Sequence, residues 1–301
     1  MLLSILIPTF NRSKELIINV KKILTYINIL NIGDNVELIV SDNGSDYEHR
    51  LLIKEEISDL NVKIFFHASN IGFEKNMLFL LEKASGVYAM TLGDDDYFSM
   101  ELFKQILSYL EQGKFSAVFS NYIRCDENGK AIGQNPYFAT PTDDYVFGDD
   151  EIYMCYLAHK MSCQTFLVKD VLEAYTRLGL TTDYPQIFFM GYGIANGGRA
   201  VYITQNPIIN TVLEKRNFDY DYDCLMGDIC AAFDKLPKKW QRIKQYILFV
   251  QKNNNRYVNR ITIKHPFATT YRIMNTYKCS ITFKIVLIAL FWAYFFKRKV
   301  R

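Results

Sequence analysis

The sequence predicts an α/β fold in which a mostly parallel sheet is flanked by helices and followed by a helical C-terminal extension. Short apolar runs alternate with helical patterns up to about residue 204, and this order is typical of a parallel sheet covered by helices. After about Tyr222 the pattern is helical. With 301 residues, 50% of them hydrophobic, the chain can bury a full core, which excludes a disordered protein.

The individual elements follow from the spacing of apolar residues. In the first helix these residues recur at intervals of three and four from Leu16 to Leu30 and form one stripe. In the third helix, Phe73, Met77, Leu80 and Leu81 are expected to face inward. The predicted elements are a strand at 4–7, a helix at 13–30, strand 37–41, helix 47–60, strand 62–66, helix 70–84, strand 87–92, helix 100–112, strands 117–120 and 165–168, a helix from about 184 and a strand at 200–204. Turn-forming residues between 123 and 148 predict a hairpin or a mobile loop.

The cysteines give no sign of a metal or redox site. They stand at positions 125, 155, 163, 224, 230 and 279, without a CxxC pair and without a histidine at zinc-finger spacing. The first residues lack the basic start and the small-residue cleavage site of an export signal. Reduced thiols and a cytoplasmic location are therefore expected.

Polar side chains follow three of the predicted strands at the point where each strand ends. Thr9, Asn11 and Arg12 follow the first strand, Asp42 follows the second, and the run Asp94 to Asp96 follows the fourth. Ligands of open parallel sheets bind beyond the carboxyl ends of the strands. The three loops are therefore expected to meet at one edge of the sheet and to form the site.

The adjacent carboxylates of Asp94, Asp95 and Asp96 are the sharpest signal. They repel one another, and such groups tend to be retained where a cation or a strongly positive group neutralises them. Mg²⁺ or Mn²⁺ suits carboxylate oxygens and is typically bound through one or two carboxylates plus substrate phosphates. The alternative is a solvated loop in which an Asp caps the next helix.

Asp42 also has two interpretations. Its side chain could cap the turn made by Asn43 and Gly44, or it could accept a hydrogen bond from the base or ribose of a bound nucleotide.

Four segments together resemble the inverting family 2 glycosyltransferases with the GT-A fold. They are SILIPTFNR at 4–12, LIVSDNGSD at 38–46, NIGFEKN at 70–76 and TLGDDDYF at 91–98, and their order and spacing agree with that family. The segment at 182–212 is similar to the acceptor side of such enzymes. The resemblance covers roughly residues 1–215. It implies transfer of a sugar, with inversion, from a nucleotide-sugar donor, with a leaning toward UDP-sugars, in the synthesis of a surface polysaccharide or glycolipid.

The resemblance also implies roles for particular residues. Asp183 would be the base that takes the acceptor proton, and Asp95 and Asp96 would hold a divalent cation, Mn²⁺ or Mg²⁺. Gly93 departs from the family by replacing the first Asp of its Asp-x-Asp-Asp pattern, and Thr182 replaces the Glu that usually precedes the base. The donor-binding residues that the resemblance implies are Pro8, Thr9, Asn11, Arg12, Asp42, Asn70, Gly72, Asn76, Asp94 and Asp95.

Charge divides the chain into two unequal parts. Every Asp and Glu lies at or before Asp234, whereas residues 236–301 carry fifteen Lys and Arg, and the first 235 residues have a net charge of −12. Such asymmetry suggests a polyanionic partner. The expected organisation is a GT-A catalytic domain at 1–221, with nucleotide-sugar binding in 1–120 and the acceptor side in 121–221, followed by a basic, membrane-associating helical region at 222–301.

The apolar stretch at 281–296 predicts contact with a membrane surface. As a helix its sixteen residues span about 24 Å, less than the roughly 30 Å hydrocarbon core, so it is expected to lie in the interface. Anionic lipid would attract each basic residue by about 1 kcal/mol, whereas no nucleic-acid-binding module is recognisable. The expected location is the inner face of the cell membrane, with a saccharide or lipid-linked acceptor. The helix could instead pack on the catalytic domain or on a second subunit in a homo-oligomer.

Three other functions are open at this point. Gly93 and Thr182 favour a non-catalytic nucleotide-sugar-binding protein. A nucleotidyltransferase would share the fold class, but its Gly-rich, Lys-bearing phosphate loop is missing near the first strand. A membrane-tethered scaffold would need none of the aspartates.

Overall fold

The computed structural model describes residues 1–125, 131–134, 143–211, 222–252 and 266–299. Its strands are β1 Leu3–Thr9, β2 Val36–Asp42, β3 Lys63–Phe66, β4 Tyr88–Thr91, β5 Asp96–Tyr97, β6 Ala117–Cys125, β7 Ala131–Gln134, β8 Tyr145–Phe147, β9 Gln164–Leu167 and β10 Ala200–Thr211. Its helices are α1 Ser13–Leu30, α2 Tyr47–Ile57, α3 Phe73–Lys83, α4 Met100–Glu111, α5 Val171–Arg177, α6 Pro185–Ala195, α7 Tyr222–Lys235, α8 Lys239–Lys252, α9 Pro266–Thr276 and α10 Ile281–Lys299. A 3-10 helix spans Asp149–His159.

The strands form one sheet in the order β3-β2-β1-β4-β9-β6-β10-β5, with β7 beside β6 and β8 beside β10. Strands β3, β2, β1 and β4 are mutually parallel. Strand β9 runs antiparallel to both β4 and β6, and β10 is parallel to β6. The predicted α/β class with flanking helices is confirmed, and the sheet is mixed because β9 opposes both of its neighbours. Strands β1, β2 and β4 therefore end at the same edge.

Helices cover both faces of the sheet. Leu3, Ile5 and Ile7 of β1 point to the face that packs against α1, α2 and α4, whereas Leu6 points to the face covered by α3, α5 and α6. This is the alternation of a β-strand, whose successive side chains leave the sheet on opposite sides. Both faces are buried, so the central strands are mainly apolar, and polar side chains within them, such as Ser4 and Glu37, are buried with hydrogen-bond partners.

The C-terminal helices complete the second of these cores. Phe233 of α7, Phe249 of α8 and Phe283 of α10 are all at most 1% exposed and belong to the same apolar cluster as Leu6. The tail therefore packs against the preceding part of the chain, through α7 on α6 and α8 on the 3-10 helix, which is one of the alternatives expected. The predicted boundary after residue 221 falls beside residues 212–221, which lie outside the described part of the chain, and it stays a prediction.

Helix α10 has a buried and an exposed side. Phe283, Leu287 and Phe291 recur every four residues and are buried, whereas Ile281 and Ile285 are more than half exposed. Across the described ranges, no helix combines the length and the apolar character that crossing a bilayer requires.

Helix α3 begins later than the apolar spacing predicts. The expected helix at 70–84 starts at Phe73, because Gly72 has a φ of 88° and a right-handed helix cannot continue through that conformation. Phe73 is 37% exposed, so the prediction that it faces inward is wrong, while the other three residues predicted inward are buried. As the first helical residue, Phe73 precedes the turns that pack on the sheet.

The hairpin predicted between residues 123 and 148 is confirmed in its described part, since β6 pairs with β7 in antiparallel register. Residues 126–130 and 135–142 lie outside the description. The spacing of apolar residues predicts neither α5, nor the 3-10 helix, nor the two-residue strand β5. Of the cysteines, the five with described side chains are buried and form no disulfide.

Candidate active site

Asn11 joins the loops that follow β1 and β2. Its backbone N–H donates to Ser45 Oγ at 2.8 Å, and its side-chain oxygen accepts the N–H of Asp46 at 2.8 Å. Its φ of 56° lies in the left-handed region, which asparagine enters more often than most residues. This predicted donor-binding residue therefore fixes two loops against each other. Pro8, a second predicted donor-binding residue, is buried in β1, just before the loop that contains Asn11.

Asp42 ends β2 and is fully buried. Its Oδ1 accepts the backbone N–H groups of Gly44 at 3.0 Å and Ser45 at 2.9 Å, and lies 3.4 Å from Arg50 Nε. These bonds make the turn that was one of the two interpretations of this residue. Its Oδ2 has no hydrogen-bond partner among the described residues. Because an unpaired buried acceptor costs free energy, this oxygen is suited to accept a ligand N–H.

Arg12 neutralises the carboxylates that follow β4. Its Nη1 lies 3.2 Å from Asp94 Oδ1 and 2.9 Å from Asp95 Oδ2. The hydroxyl of Thr9 donates to Asp94 Oδ2 at 2.8 Å. Burial raises the pKa of Asp94 to about 7, against the opposing charge of Arg12 and with the added repulsion of Asp95. The structure thus brings together four residues that the sequence analysis selected from two loops.

Asp96 has different partners. Its Oδ2 accepts the hydroxyl of Ser162, whose Oγ also accepts the backbone N–H of Gly93 at 3.0 Å. Asn19 of α1 donates to the carbonyl oxygens of Gly93 at 3.1 Å and Asp96 at 2.9 Å. This segment is therefore built into the fold at both its backbone and its side chains.

The alternative of a solvated loop with a capping aspartate is wrong. Asp94 and Asp96 are only 5% and 8% exposed, and α4 is capped by Ser99, whose Oγ accepts the N–H of Leu102 at 3.1 Å.

Gly93 lies where a side chain would be crowded by its neighbours. A Cβ at this position would lie 3.0 Å from Asp96 Oδ2, 3.2 Å from Ser162 Oγ and 3.3 Å from Asp95 Oδ1. These separations are tighter than ordinary van der Waals contact. Glycine at this position is therefore the residue that lets Ser162 approach Asp96.

Asp95 and Asp96 offer oxygen ligands of the kind that Mg²⁺ and Mn²⁺ prefer. In the ranges that the structure describes, no group of three or more His, Cys, Asp or Glu side chains could hold a metal ion. Asp96 Oδ2, which accepts the Ser162 hydroxyl, and Asp95 Oδ1 both lie close to Gly93, at 3.0 and 3.3 Å from the position that a Cβ would take there. Mg²⁺ commonly needs only one or two carboxylates and takes its other ligands from phosphates and water, so two carboxylates are enough in number, and the role of Asp95 and Asp96 as metal ligands stays a prediction.

The start of α3 is held to β2 by asparagine side chains. Asn70 Oδ1 accepts Asn43 Nδ2 at 3.1 Å and the N–H of Gly72 at 2.9 Å. Asn76 is buried, and its amide exchanges two hydrogen bonds with Ser41, at 2.6 and 3.2 Å. Asn70 and Gly72 are exposed, whereas the amide of Asn76 is engaged within the fold. The donor-binding role of these three residues stays a prediction.

Asp183 lies in the turn before α6 with an exposed side chain. Two carboxylates hold this turn. Glu74 Oε1 accepts the N–H of Thr182 at 3.0 Å, and Asp228 Oδ2 accepts the N–H of Asp183 at 3.0 Å. Asp183 is not a helix cap, because Tyr184 is the N-terminal capping residue of α6. Since Glu74 belongs to the first turn of α3, the predicted base is tied to the helix that follows Gly72.

Four residues of this region escaped the sequence analysis: Asn19, Glu74, Ser162 and Asp228. Glu74 could have been selected from the sequence, since it lies inside the NIGFEKN segment. The other three lie outside the quoted motifs, and only their hydrogen bonds connect them to the site.

The half-sheet of parallel strands carries a buried aspartate cluster and an arginine at its carboxyl edge, which is where open α/β sheets bind their ligands. The family model of glycosyl transferase family 2 matches residues 4–174, which is more than half of the chain. The chain belongs to this family.

Two curated relatives agree with this assignment. An uncharacterized glycosyltransferase of Haemophilus influenzae is 33% identical over 132 residues, which cover 44% of this chain and 51% of that protein. An uncharacterized glycosyltransferase of Rickettsia bellii is 30% identical over 129 residues, which cover 43% of this chain and 18% of that protein. The matches thus span about half of one relative and less than a fifth of the other.

Solved structures of S. aureus TarS share the fold. TarS 1-349 has a TM-score of 0.65 at 14% identity, with 91% of this chain and 78% of that chain covered. Its complex with UDP-GlcNAc has the same TM-score and identity and covers 91% and 80%. At this identity the likeness shows the fold alone, and it confirms the GT-A-type α/β fold that the sequence predicts.

Proposed function

We propose that this chain is an inverting glycosyltransferase that transfers a sugar from a UDP-sugar to a saccharide or lipid-linked acceptor, in the synthesis of a surface polysaccharide or glycolipid. The observation that carries the proposal is the unpaired Oδ2 of Asp42, buried at the sheet edge where β1 and β4 also end. Asp95 and Asp96, which would hold a divalent ion for the diphosphate, follow β4 at that same edge.

Asp42 Oδ2 supports uracil as the base of the donor. Uracil carries an N–H between its two carbonyl groups, and a carboxylate oxygen accepts such a donor in a strong, charge-assisted hydrogen bond. Cytosine has a bare ring nitrogen at that place, and its lone pair would repel the carboxylate. TarS has been crystallised in complex with UDP-GlcNAc and with UDP, which further supports a uridine donor for this chain.

The diphosphate of the donor would lie against Asp95 and Asp96. A divalent ion held by these two carboxylates would offset the negative charge that grows on the leaving nucleoside diphosphate. Arg12 contacts Asp94 and Asp95 through Nη1 only. Since a guanidinium has five N–H donors in a planar fork, Arg12 retains donors for a phosphate oxygen.

Asp183 would take the proton of the acceptor hydroxyl. Its side chain is exposed, so an acceptor can reach it, and its turn is held on two sides by Glu74 and Asp228. In a single displacement the acceptor oxygen attacks the anomeric carbon while the bond to the diphosphate breaks, through an oxocarbenium-like state. The proton passes to the carboxylate of Asp183, and the configuration of the sugar inverts.

The proposal places this reaction at the inner face of the cell membrane. Phe267 and Phe296 are 78% and 57% exposed, and the ring of Trp292 lies between them, at 5.4 and 5.6 Å from their centroids. Residues 236–301 add fifteen Lys and Arg and no acidic residue. Aromatic rings favour the headgroup level of a bilayer, and basic residues are attracted to anionic lipid.

Calorimetric titration with UDP, CDP and GDP, with Mn²⁺ or with chelator, tests the donor site. We expect the wild type to bind UDP most tightly and to need Mn²⁺, and we expect Asp42→Asn to lose the preference for UDP. Asp95→Asn should lose the dependence on Mn²⁺. Asp59→Asn is the matched control, because Asp59 is exposed in the loop before β3, at the opposite edge of the sheet.

The outcomes separate the functions that the sequence left open. If no nucleoside diphosphate binds the wild type with or without Mn²⁺, the transferase proposal is overturned. Tight UDP binding without transfer from any UDP-sugar to any acceptor of a panel would instead favour the non-catalytic binding protein.

A further inference from the structure

Asp228 belongs to the C-terminal helices and contacts the turn before α6, which contains Thr182 and Asp183. It lies on α7 and is 6% exposed. Its Oδ2 accepts the backbone N–H of Asp183 at 3.0 Å. A side chain from beyond residue 221 therefore holds the residue proposed as base by its own backbone.

The opposite side of the turn is held by Glu74 of α3. It accepts the N–H of Thr182 at 3.0 Å and the hydroxyl of Tyr175. The turn is thus fixed between α3 of the donor side and α7 of the C-terminal region. The side chain of Asp183 takes no part in either bond, so it is left to face the solvent.

The carboxylates of Asp228 and Asp183 are both acidic and lie close to each other, so their negative charges repel. Burial raises the pKa of Asp228 to about 6, and the negative charge of Asp183 adds to this effect. The N–H of Asp183, the positive charge of Lys278 and the side chain of Thr182 act in the opposite direction. Burial and the hydrogen bond to Glu74 raise the pKa of the Tyr175 phenol, and the negative charges of Asp228 and Asp183 add to this effect.

We propose that Asp228 is a positioning residue for the base Asp183, which it holds by the backbone N–H so that the base carboxylate is directed toward the acceptor. This inference rests on the proposed function, because it takes Asp183 as the base. It makes transfer depend on a residue of the C-terminal helical region. Since a neutral carboxyl group is a weaker acceptor than a carboxylate, the turn loosens when Asp228 takes up a proton.

The hydrogen bond itself is tested by NMR, without any need for turnover. In the wild type the amide proton of Asp183 should shift with pH, with a midpoint near the pKa of Asp228, about 6. In Asp228→Asn, which has the same shape but does not ionise, this step should vanish. The matched control is Asp234→Asn on the same helix, because Asp234 accepts the N–H of Ser280 at 2.7 Å in a bond of the same kind.

The effect on transfer is tested by kinetics across pH. Asp228→Ala should lower kcat by about tenfold to about a hundredfold, the loss expected from a misplaced catalytic group, with little change in the KM for the donor. Asp228→Asn keeps an acceptor oxygen, so it should recover most of the kcat at pH 8 and lose less activity than the wild type when the pH falls below about 6. Asp234→Asn should behave like the wild type. Unchanged UDP affinity in each variant shows that it has folded.

The possible failures are distinguishable. A titrating Asp183 amide together with wild-type kcat in Asp228→Ala overturns the positioning role and leaves the proposed function intact. Full transfer by Asp183→Asn overturns the base assignment, and the positioning role falls with it. An Asp183 amide that does not follow the ionisation of Asp228 overturns this inference directly.

Discussion

The guanidinium of Arg12 bridges Asp94 and Asp95, with Nη1 3.2 Å from one carboxylate and 2.9 Å from the other. The sequence called for a cation or a strongly positive group at these aspartates, and in the structure an arginine provides that charge. Arg12 and a divalent ion held by Asp95 and Asp96 would therefore have one carboxylate in common, that of Asp95. An ion that joins Asp95 would share that residue with Arg12.

Replacing Arg12 by glutamine should destabilise the protein and increase its response to metal. Asp94 would keep its buried position without an opposing charge, so we expect the free energy of unfolding to fall by about 1 to 2 kcal/mol. Added Mn²⁺ should then raise the Tm of the variant more than that of the wild type. Thermal melting with and without MnCl₂ measures both effects.

The control for this variant is Arg177→Gln. Arg177 pairs with Glu173 four residues earlier on α5, and both side chains are more than half exposed. Such pairs contribute little, so its Tm should match the wild type with or without Mn²⁺. An Arg12→Gln protein that melts like this control would show that the bridge does not neutralise the aspartates.

Restoring the family's aspartate at Gly93 should be unfavourable in this chain. A Cβ would lie 3.0 Å from Asp96 Oδ2 and 3.3 Å from Asp95 Oδ1, and the added carboxylate would repel both. We expect Gly93→Asp to lower the free energy of unfolding by about 1 to 3 kcal/mol in chelator, and Mn²⁺ to restore part of the loss. Urea unfolding in the two conditions gives the difference. Gly33→Asp is the control, because a Cβ there would meet no atom within 4 Å.

Sequence periodicity predicted the parallel half of the sheet well, because each of these elements has one clear apolar face or a mainly apolar run. Helix α1 begins and ends where the spacing indicated, and β2 extends only one residue beyond each predicted end. The direction of β9 could not be predicted, since the same apolar residues suit a parallel or an antiparallel partner. The 3-10 helix was missed because seven consecutive residues, from Ile152 to Ala158, are buried, which leaves no periodic stripe.

Part of the candidate site was also predictable. Thr9, Arg12, Asp94 and Asp95 meet as their positions after β1 and β4 suggested, since parallel strands bring their carboxyl ends to one edge. The contact between Asp183 and Asp228 had no such signal. It depends on how α7 packs against α6, which neither motif spacing nor apolar periodicity contains.

Glu37 should make stability depend on pH in the acidic range. It is 7% exposed and accepts hydrogen bonds from Lys63 at 2.6 Å, from the N–H and hydroxyl of Ser85 at 2.7 Å each, and from the hydroxyl of Ser4. Burial alone would raise the pKa of Glu37, but these bonds outweigh it and lower the pKa from 4.5 to about 2. The folded state thus favours the ionised form.

Because the pKa of Glu37 is lower in the folded state, its contribution is complete above pH 4.5 and is lost as the pH falls toward about 2. We expect Glu37→Gln to lower the free energy of unfolding by about 2 to 3 kcal/mol at pH 7 and by progressively less below pH 4.5. Urea unfolding at pH 7, 4 and 3 measures this change. Glu55→Gln, at an exposed position of α2, should show no such dependence, and equal losses at all three pH values would contradict the assignment.

Removing exposed aromatic residues of α9 should weaken membrane binding. Phe267 and Tyr271 are 78% and 71% exposed and lie one helical turn apart. We expect the double variant Phe267→Ser, Tyr271→Ser to bind phosphatidylglycerol-containing vesicles at least about tenfold more weakly than the wild type in a sedimentation assay. Tyr47→Ser, on α2 and 75% exposed in the wild type, is the matched control. Equal binding by all three proteins would locate any lipid contact elsewhere.

The two faces of the sheet have different requirements during synthesis. The core under α1, α2 and α4 is built from residues up to Ile208, so it can close once that part of the chain has left the ribosome. The core on the other face needs Phe233, Phe249 and Phe283, which are translated later. A nascent chain therefore has one finished face, and on the other face the apolar residues of α6 and the 3-10 helix stay uncovered until the C-terminal helices emerge. During that interval it would depend on a chaperone, and a ribosome that stalls within α10 would release an aggregation-prone protein.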